Sequence, residues 1–279
     1  MTAMDDMTKL EAFSVDVSEG IAEVTLKGPG KGNAMGPAFF RELPSIFSAL
    51  DRDEAVRAVV VMSSGDHFSY GLDLAAMMSE LGPYLMGPQM AAKRTALHDL
   101  IRELQGGLDL VERCRKPVIA AINGWCIGGG LDLAAACDVR LCSADAKFSL
   151  REVRVAIVAD LGSLQRLPPI IGQGATRELA FTGKDIDAKR ASAIGLVNDV
   201  LPDRAGVIDA ARSMAKQIAD NPPLVVQGIK QVMNATAVRS TEAGLEYVAL
   251  WNAAFLQSMD LTEAFTAFRE KRPPVFKGR

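Results

Sequence analysis

Histidine and cysteine are scarce in this chain of 279 residues, and their scarcity excludes several kinds of site. The two histidines, His67 and His98, provide neither a cysteine–histidine pair for nucleophilic catalysis nor a histidine-rich metal site. The four cysteines match no zinc-binding spacing and, in a chain of this length, do not indicate a disulfide framework. We therefore expect reduced thiols in or near a hydrophobic core.

Charge and hydropathy exclude further classes of protein. The formal net charge is −3, from 31 basic and 34 acidic residues, which argues against a nucleic-acid-binding scaffold. Hydrophobic residues make up 49% and charged residues 23% of the chain, which is the balance of an ordinary globular protein. No apolar run approaches the roughly 20 residues that span a bilayer. Neither end of the sequence resembles a targeting signal, so the expected location is the cytoplasm.

Strand and helix patterns alternate over the first 200 residues, and this alternation predicts an α/β fold. The pattern predicts a hairpin over 11–27 and buried strands over Ala58–Met62 and Pro117–Ile122. It predicts amphipathic helices over Pro37–Leu50 and Ala91–Val111. After Pro168-Pro169 we predict short helices over Ala175–Phe181 and Asp187–Ile194. From Ala205 onward the pattern is helical only, so we divide the chain into a core over 1–204 and a helical region over 205–279.

The stretch from 117 to 168 contains the features that predict chemistry. Gly128-Gly129-Gly130 leads from a buried strand into a predicted helix over Leu131–Cys137. Glycine N–H groups at the start of a helix are not shielded by side chains, and the helix dipole adds positive potential there. Another loop leads into a helix at Gly71-Leu72-Asp73-Leu74 and offers a further N–H group. Two such donors, if they converge, would stabilise the negative oxygen of an enolate.

Three carboxylates, Asp132, Glu152 and Asp160, lie among apolar neighbours in the same stretch. Carboxylates that are shielded from water and close together have raised pKa values, which suits general acid–base catalysis. Each also has an ordinary structural explanation. Asp132 can complement a helix dipole, Glu152 can pair with a neighbouring arginine, and Asp160 can cap a helix through Gly162-Ser163. The residues alone predict an acid–base site beside an oxyanion hole and leave these alternatives open.

The segment KPVIAAINGWCIGGGLDLAAACDVRLCSADAKFSLREV resembles the core of the crotonase (enoyl-CoA hydratase/isomerase) superfamily. FSYGLDL resembles that family's first oxyanion segment, GKGNAM its N-terminal loop and AFREKRPPVF its closing segment. The resemblance covers about residues 13–276. It implies an α/β crotonase spiral of ββα units with a helical C-terminal region. It also implies a coenzyme A thioester as the substrate, with no metal or other cofactor.

Within the superfamily, REVRVAIVADLGSLQRLP is similar to the Δ3,5-Δ2,4-dienoyl-CoA isomerases of fatty acid β-oxidation. Plain hydratases have glutamate where Asp132 stands and glycine where Asp160 stands, whereas the dienoyl isomerases have aspartate, glutamate and aspartate at the spacing of 20 and 8 residues found here. The resemblance implies an oxyanion hole made by the N–H groups of Leu72 and Gly129. It implies that Glu152 transfers a proton at C2 and Asp160 at C6, and that Asp132 supports Glu152.

The resemblance further implies contacts with the coenzyme A thioester from loops that precede the oxyanion segments and from the C-terminal region. These residues are Asn33, Ala34, Met35, Asp66, Ser69, Tyr70 and Lys271. Lys271 can also belong to a solvated basic end of the chain. Homotrimers, often paired into hexamers, are implied as well, and apolar faces around Tyr247, Trp251 and Phe255 are consistent with such assembly.

Two other functions compete with the isomerase. An enoyl-CoA hydratase, or another acyl-CoA enzyme of the superfamily, could use Asp132 and Glu152 around a water molecule, but Asp160 has no evident role in hydration. A non-catalytic acyl-CoA binder is an alternative of another class, and the presence of all three carboxylates argues against it. Neither a nucleic acid nor a membrane is an expected partner.

Overall fold

The computed structural model describes residues 9–28, 32–87, 90–221, 223, 226–231, 233–234, 253, 257 and 259–272. This part of the chain forms a mixed α/β fold, as the sequence predicts. Tyr247, Trp251 and Phe255, which were expected to contact another subunit, lie outside the described residues.

The described strands form a large and a small sheet. In chain order they are β1 (Phe13–Ser18), β2 (Ile21–Leu26), β3 (Ala58–Ser63), β4 (Val118–Ile122), β5 (Trp125–Ile127), β6 (Val139–Ser143), β7 (Lys147–Ser149), β8 (Ile186–Asp187) and β9 (Asp199–Leu201). The large sheet has the order β1-β2-β3-β4-β6-β9, and the small sheet has the order β5-β7-β8. β1 and β2 form the predicted antiparallel hairpin, and all other pairs in the large sheet are parallel.

Helices cover both faces of the large sheet. They are α1 (Pro37–Arg52), α2 (Leu74–Leu85), α3 (Ala91–Arg113), α4 (Gly129–Ala136), α5 (Ser163–Thr182), α6 (Ala188–Ala193), α7 (Arg204–Ala219) and α8 (Met259–Glu270), with a 3₁₀ helix over Glu152–Val155. Alternate residues of β3 point to opposite faces: Val59 and Val61 pack with α1 and α3, whereas Val60 and Met62 pack with α7. Burial on both faces explains why this strand is continuously apolar.

The apolar face of α7 packs on the α/β body, against β3, β4 and β6. A separate cluster joins α2, α3 and α8 through residues that include Met77, Ile101 and Leu261. Leu72 and Ile157 pack against this cluster, so it lies next to the candidate site. The four cysteines are buried, as core thiols are expected to be. In the described part of the chain no helix is long and apolar enough to cross a membrane.

The sequence prediction was wrong about where the helix after Asp160 begins. α5 starts at Ser163 rather than Ala175 and includes Pro168 and Pro169. Proline lacks the N–H of the helical hydrogen bond but has a helical φ, so it can lie within a helix that bends. α5 does bend, and the break is at Gly172, where φ is +78°. The segment before the prolines is therefore part of a helix that starts directly beside the candidate site.

Candidate active site

Two backbone N–H groups, those of Leu72 and Gly129, lie close together where α2 and α4 begin. Their separation can be judged by adding a Cβ atom to the neighbouring glycines, as an alanine would have. A Cβ on Gly129 would lie 3.6 Å from Leu72 N, and a Cβ on Gly71 would lie 2.8 Å from Gly129 N. The extended segment 71–73 pairs with Met35: Met35 N donates to Gly71 O, and Asp73 N donates to Met35 O. Because successive N–H groups of an extended segment point in opposite directions, the N–H of Leu72 points away from Met35. Gly129 is the first residue of α4, and its N–H has no acceptor within the helix.

Neither of these N–H groups has an acceptor among the described residues. Two unpaired donors at such close range can bind the same oxygen atom, which is the arrangement that stabilises an enolate. The close approach requires glycine. At Gly71, φ is +78° and a Cβ would lie 2.6 Å from the carbonyl oxygen of Ile127.

Glu152 borders the same space from the start of the 3₁₀ helix. A Cβ on Gly128 would lie 3.5 Å from Oε1 of Glu152 and 4.0 Å from Cα of Gly71. Oε2 of Glu152 is buried and has no hydrogen-bond partner in the described part of the chain. Burial, and after it the negative charges of Asp132 and Asp160, raise the pKa of Glu152 to about 8. A carboxyl group with this pKa can accept and return a proton near neutral pH.

The alternative that Glu152 pairs with a neighbouring arginine is not found. Nη2 of Arg151 lies 2.7 Å from Oδ1 of Asp185, and the Arg151 guanidinium also stacks over the Trp125 ring. Among the residues that the structure describes, no ion pair includes Glu152. A hydrogen bond from its own backbone is the compensation that its buried carboxyl group has, without an ion pair, which is unusual for a purely structural side chain.

Asp132 lies in the first turn of α4 and is only 1% exposed. Its Oδ1 accepts a hydrogen bond from Ser163 N, the first residue of α5, at 2.5 Å. Burial raises the pKa of Asp132 to about 6, although hydrogen bonds from Ser163 and the positive charge of Arg166 act to lower it. The carboxylate that accepts a hydrogen bond from the first residue of α5 is thus that of Asp132. The alternative that Asp160 is the cap of this helix is wrong, because the N-cap residue is Gly162.

Asp160 lies in a segment, 156–162, that is neither helix nor strand. Its negative charge contributes to the raised pKa of Glu152, so the two carboxyl groups lie within electrostatic range of each other. The backbone carbonyl of Asp160 accepts a hydrogen bond of 2.6 Å from Nε2 of Gln105. The structure therefore brings Asp132, Glu152 and Asp160 into one site, beside the two N–H groups.

Gln105 and Arg166 support this site and were not predicted from the sequence. Gln105 is 1% exposed and occupies the apolar stripe of α3, so a polar residue in an apolar stripe was a signal that could have found it. Arg166 is 4% exposed and donates to Asp109 at 2.6 Å, to Glu112 at 2.7 Å and to the carbonyl of Leu161 at 3.1 Å. Its two carboxylate partners are 57 and 54 residues away in the chain, so no local pattern indicates them.

Asn33 and Ser69 are buried and bind the chain itself. Nδ2 of Asn33 donates to the carbonyl of His67 at 2.8 Å. Oγ of Ser69 donates to the carbonyl of Asn33 at 2.9 Å and accepts from Gly71 N at 3.0 Å. These side chains fix the turn that precedes Leu72.

Met35 and Tyr70 lie on either side of this turn. Met35 is fully buried, and its Sδ would lie 3.0 Å from a Cβ on Gly129, so it packs directly beneath the paired N–H groups. The Tyr70 ring stacks on His67 with the ring centroids 4.9 Å apart, and it covers Gly32, where a Cβ would lie 2.5 Å from the ring. The Tyr70 ring thus packs over the loop that leads to the site.

The remaining predicted contacts lie at the surface. Ala34 is half-buried, and Asp66 is exposed. Lys271 is exposed and directly follows α8, where its N–H donates to the carbonyl of Phe268. Among the described residues no group of three or more histidine, cysteine, aspartate or glutamate side chains is arranged to bind a metal ion.

Comparison with known proteins agrees with this geometry. A family profile described as enoyl-CoA hydratase/isomerase matches residues 16–279. The chain is 45% identical over 260 residues to the mitochondrial Delta(3,5)-Delta(2,4)-dienoyl-CoA isomerase of Dictyostelium discoideum, which covers 92% of this chain and 87% of that protein. It is 39% identical over 273 residues to the peroxisomal Delta(3,5)-Delta(2,4)-dienoyl-CoA isomerase of Arabidopsis thaliana, which covers 98% of both chains.

Solved structures show the same fold. An enoyl-CoA hydratase/isomerase from Xanthobacter autotrophicus Py2 superposes with a TM-score of 0.82 at 29% identity, and the match covers 94% of each chain. The crotonase fold and the resemblance inferred from the sequence are confirmed. The chain belongs to the enoyl-CoA hydratase/isomerase, or crotonase, family.

Proposed function

We propose that the protein is a Δ3,5-Δ2,4-dienoyl-CoA isomerase that acts in fatty acid β-oxidation. The observation that supports this function most is the third carboxylate: Asp160 lies close enough to Glu152 for its charge to raise the pKa of Glu152, in a site that already has Asp132 and a pair of free N–H groups. A proton shift between distant carbons needs one group at each end of the diene, whereas hydration leaves Asp160 without a role. Two relatives are named for this isomerase activity.

The first half of the reaction takes place at C2. The N–H groups of Leu72 and Gly129 bind the thioester oxygen of a 3,5-dienoyl-CoA. The carboxylate of Glu152 removes a proton from C2, and the electron pair of that C–H bond delocalises over the diene and the thioester oxygen. The C2 proton is acidic because the anion is an extended dienolate. The buried position of Glu152 excludes water from this base.

The second half takes place at C6. The carboxylic acid of Asp160 donates its proton to C6, the double bonds move to positions 2 and 4, and the thioester carbonyl forms again. The substrate loses one proton and gains one, which leaves Glu152 protonated and Asp160 ionised. A proton must therefore pass from Glu152 to Asp160, directly or through solvent, before the next turnover. The raised pKa of Glu152 suits a group that must hold a proton between the two steps. Asp132 supports this role because its negative charge helps to raise that pKa.

The test compares the wild-type protein with Asp160→Asn. With a 3,5-dienoyl-CoA, ultraviolet absorbance from the conjugated 2,4-dienoyl thioester should rise for the wild type, and kcat should fall by roughly 10²- to 10⁴-fold for the variant. Asp209→Asn, on the exposed surface of α7, is the matched control and should retain activity. Full isomerase activity of Asp160→Asn would contradict the proposed role of this residue.

The second candidate is enoyl-CoA hydration, and the pairing of Asp132 with Glu152 favours it, because each has a raised pKa. A 2-enoyl-CoA hydration assay run beside the isomerase assay separates the two functions. Fast hydration without isomerisation would make Asp160 a structural residue. The absence of turnover in both assays would favour a non-catalytic acyl-CoA binder.

We also infer how the substrate and the subunits are arranged. The coenzyme A thioester is expected to bind without another cofactor. The residues expected near it are Asn33, Ala34, Met35, Asp66, Ser69, Tyr70 and Lys271. Assembly as a homotrimer, or as paired trimers, is supported by apolar side chains such as Phe181 and Phe268, which are 72% and 69% exposed. Light scattering of the purified protein tests this assembly.

The cytoplasm is the proposed location. The names of the two relatives place them in the mitochondrion and the peroxisome. Fractionation of cells that produce the protein decides between the cytoplasm and an organelle.

A further inference from the structure

We propose that Gln105 is a positioning residue that sets the place of the Asp160 carboxyl group by binding the Asp160 backbone. The inference rests on the proposed isomerase function, in which Asp160 donates a proton at C6. Gln105 lies on α3, which packs against α2 and α4, and its side chain reaches Asp160 through a hydrogen bond of 2.6 Å to Asp160 O.

The backbone around Asp160 depends on side chains for its position. Residues 156–162 are neither helix nor strand, so the repeating hydrogen bonds of regular structure do not fix them. Gln105 binds the carbonyl of Asp160, and Arg166 binds the carbonyl of Leu161, the next residue. Because the Cα–Cβ bond of Asp160 follows its backbone, a shift of this carbonyl moves the carboxyl group with it.

The orientation of the Gln105 amide is determined by a second partner. Its Oε1 accepts a hydrogen bond of 2.9 Å from Nη1 of Arg102. An arginine can only donate and a carbonyl can only accept, so the amide oxygen must face Arg102 and the amide nitrogen must face Asp160. The flipped amide would put two donors together at one end and two acceptors at the other. The Gln105 side chain is therefore a donor of fixed direction toward Asp160.

Gln105 is buried, so its amide needs hydrogen-bond partners within the protein. Gln105 is 1% exposed on the core-facing side of α3, which it shares with Leu97, Ile101 and Leu108. An apolar side chain of similar size would satisfy packing at this position without the need for two hydrogen bonds. The amide at this position therefore serves the contact with Asp160 rather than the packing of the helix.

The two halves of the reaction respond differently to this contact. Glu152 is placed by the 3₁₀ helix and by its approach to Gly128, and the hydrogen bonds of Gln105 go to Arg102 and to Asp160 O instead. Loss of the Gln105 hydrogen bond should therefore impair protonation at C6 and spare proton removal at C2. A displacement of about 1 Å can reduce a rate by about 10²-fold when a reacting group must be aligned.

The experiment measures both halves in Gln105→Leu and Gln105→Glu. Leucine keeps about the volume of the glutamine side chain but cannot donate a hydrogen bond to Asp160 O. Glutamate still accepts the hydrogen bond from Arg102 but places an acceptor oxygen, instead of the donor nitrogen, against Asp160 O. In each variant we expect kcat for isomerisation of a 3,5-dienoyl-CoA to fall roughly 10- to 100-fold, with KM unchanged. Deuterium incorporation at C2 of the recovered substrate in D₂O, read by mass spectrometry, should stay within about twofold of the wild-type rate.

The matched control is Asn234→Leu. Nδ2 of Asn234 also donates to a backbone carbonyl on α3, that of Glu112 at 3.0 Å, so this variant removes the same kind of bond from the same helix. The control should retain wild-type kcat. If Gln105→Leu does not fold, Gln105→Glu provides the measurement.

Three results would overturn the inference. Wild-type kcat in both Gln105 variants would show that the hydrogen bond has no effect on Asp160. A parallel loss of isomerisation and of C2 exchange would show a general structural effect. A wild-type protein that exchanges the C2 proton without isomerising would refute the proposed function itself, and the inference with it.

Discussion

Glu152 is buried without an ion pair among the described residues, and this leads to a prediction about stability: Glu152→Gln should make the folded protein more stable, and the gain should grow as the pH rises. Glutamine has nearly the same shape as glutamate but never ionises. In the wild type, the carboxyl group has no ion pair among the described residues, and its Oε2 has no hydrogen-bond partner there. Its ionisation therefore opposes folding.

The size of the effect follows from the pKa. Burial first, and then the charge of Asp132, raise the pKa of Glu152 from its ordinary value of 4.5 to about 8. One pKa unit corresponds to about 1.36 kcal/mol, so the difference sets an upper limit of about 5 kcal/mol. The folded state binds this proton more tightly than the unfolded state. Its contribution to stability is therefore complete below pH 4.5 and is lost as the pH rises toward 8.

Urea unfolding followed by circular dichroism checks this prediction at pH 5, 7 and 9 and at one protein concentration. The stability of Glu152→Gln relative to the wild type should increase from pH 5 to pH 9, by several kcal/mol and at most by about 5. Glu54→Gln, at an exposed position between α1 and β3, is the control and should show a constant small difference. A difference for Glu152→Gln that is the same at pH 5 and pH 9 would refute the reasoning.

Three further predictions concern the surroundings of Glu152. Asp132→Asn removes a negative charge that raises the pKa of Glu152, so the acidic limb of the kcat/KM profile should move to lower pH; an unmoved limb would disprove this electrostatic role. Gly71→Ala places a Cβ 2.8 Å from Gly129 N and should lower kcat by roughly 100-fold or more. Gly172→Ala is the control, because Gly172 has the same φ of +78° but nothing within 4 Å of an added Cβ, and it should retain kcat. Equal losses of kcat in Gly71→Ala and Gly172→Ala would argue against a steric block of the N–H pair. Arg166→Met leaves two carboxylates without their shared partner and should destabilise the protein by about 3–5 kcal/mol in urea, whereas a loss below about 1 kcal/mol would show that the buried ion pairs contribute little net stability.

Local patterns in the sequence were sufficient for the framework of the fold. The period of two in Phe13–Leu26, the continuous apolar run of β3 and the three-and-four spacing of α1 each depend on residues close together in the chain. Asp132 and Glu152 were also identifiable, since carboxylates in a largely apolar stretch are visible locally. Their roles came from the resemblance, because spacing alone left an arginine pair or a helix dipole as alternatives.

Other features were beyond the reach of local patterns. β5, β7 and β8 have three, three and two residues, which is too short for a period to appear. The start of α5 was missed because Pro168 and Pro169 lie inside the helix, where proline is uncommon. The hydrogen bond from Gln105 to Asp160 joins residues 55 positions apart, and only the packing of α3 beside the site brings them together.

The irregular backbone of residues 156–162 has a consequence for how the family can acquire new reactions. Asp160 is neither in the sheet nor at either N–H group, so replacement of its side chain leaves the enolate-binding part of the site in place. Under the proposed mechanism, an enzyme with a different residue here would still bind an acyl-CoA and remove its C2 proton. A single substitution at this position, on a backbone that Gln105 and Arg166 already bind, then adds or removes a second proton donor. Catalytic diversity can therefore arise on this segment without any change in the fold.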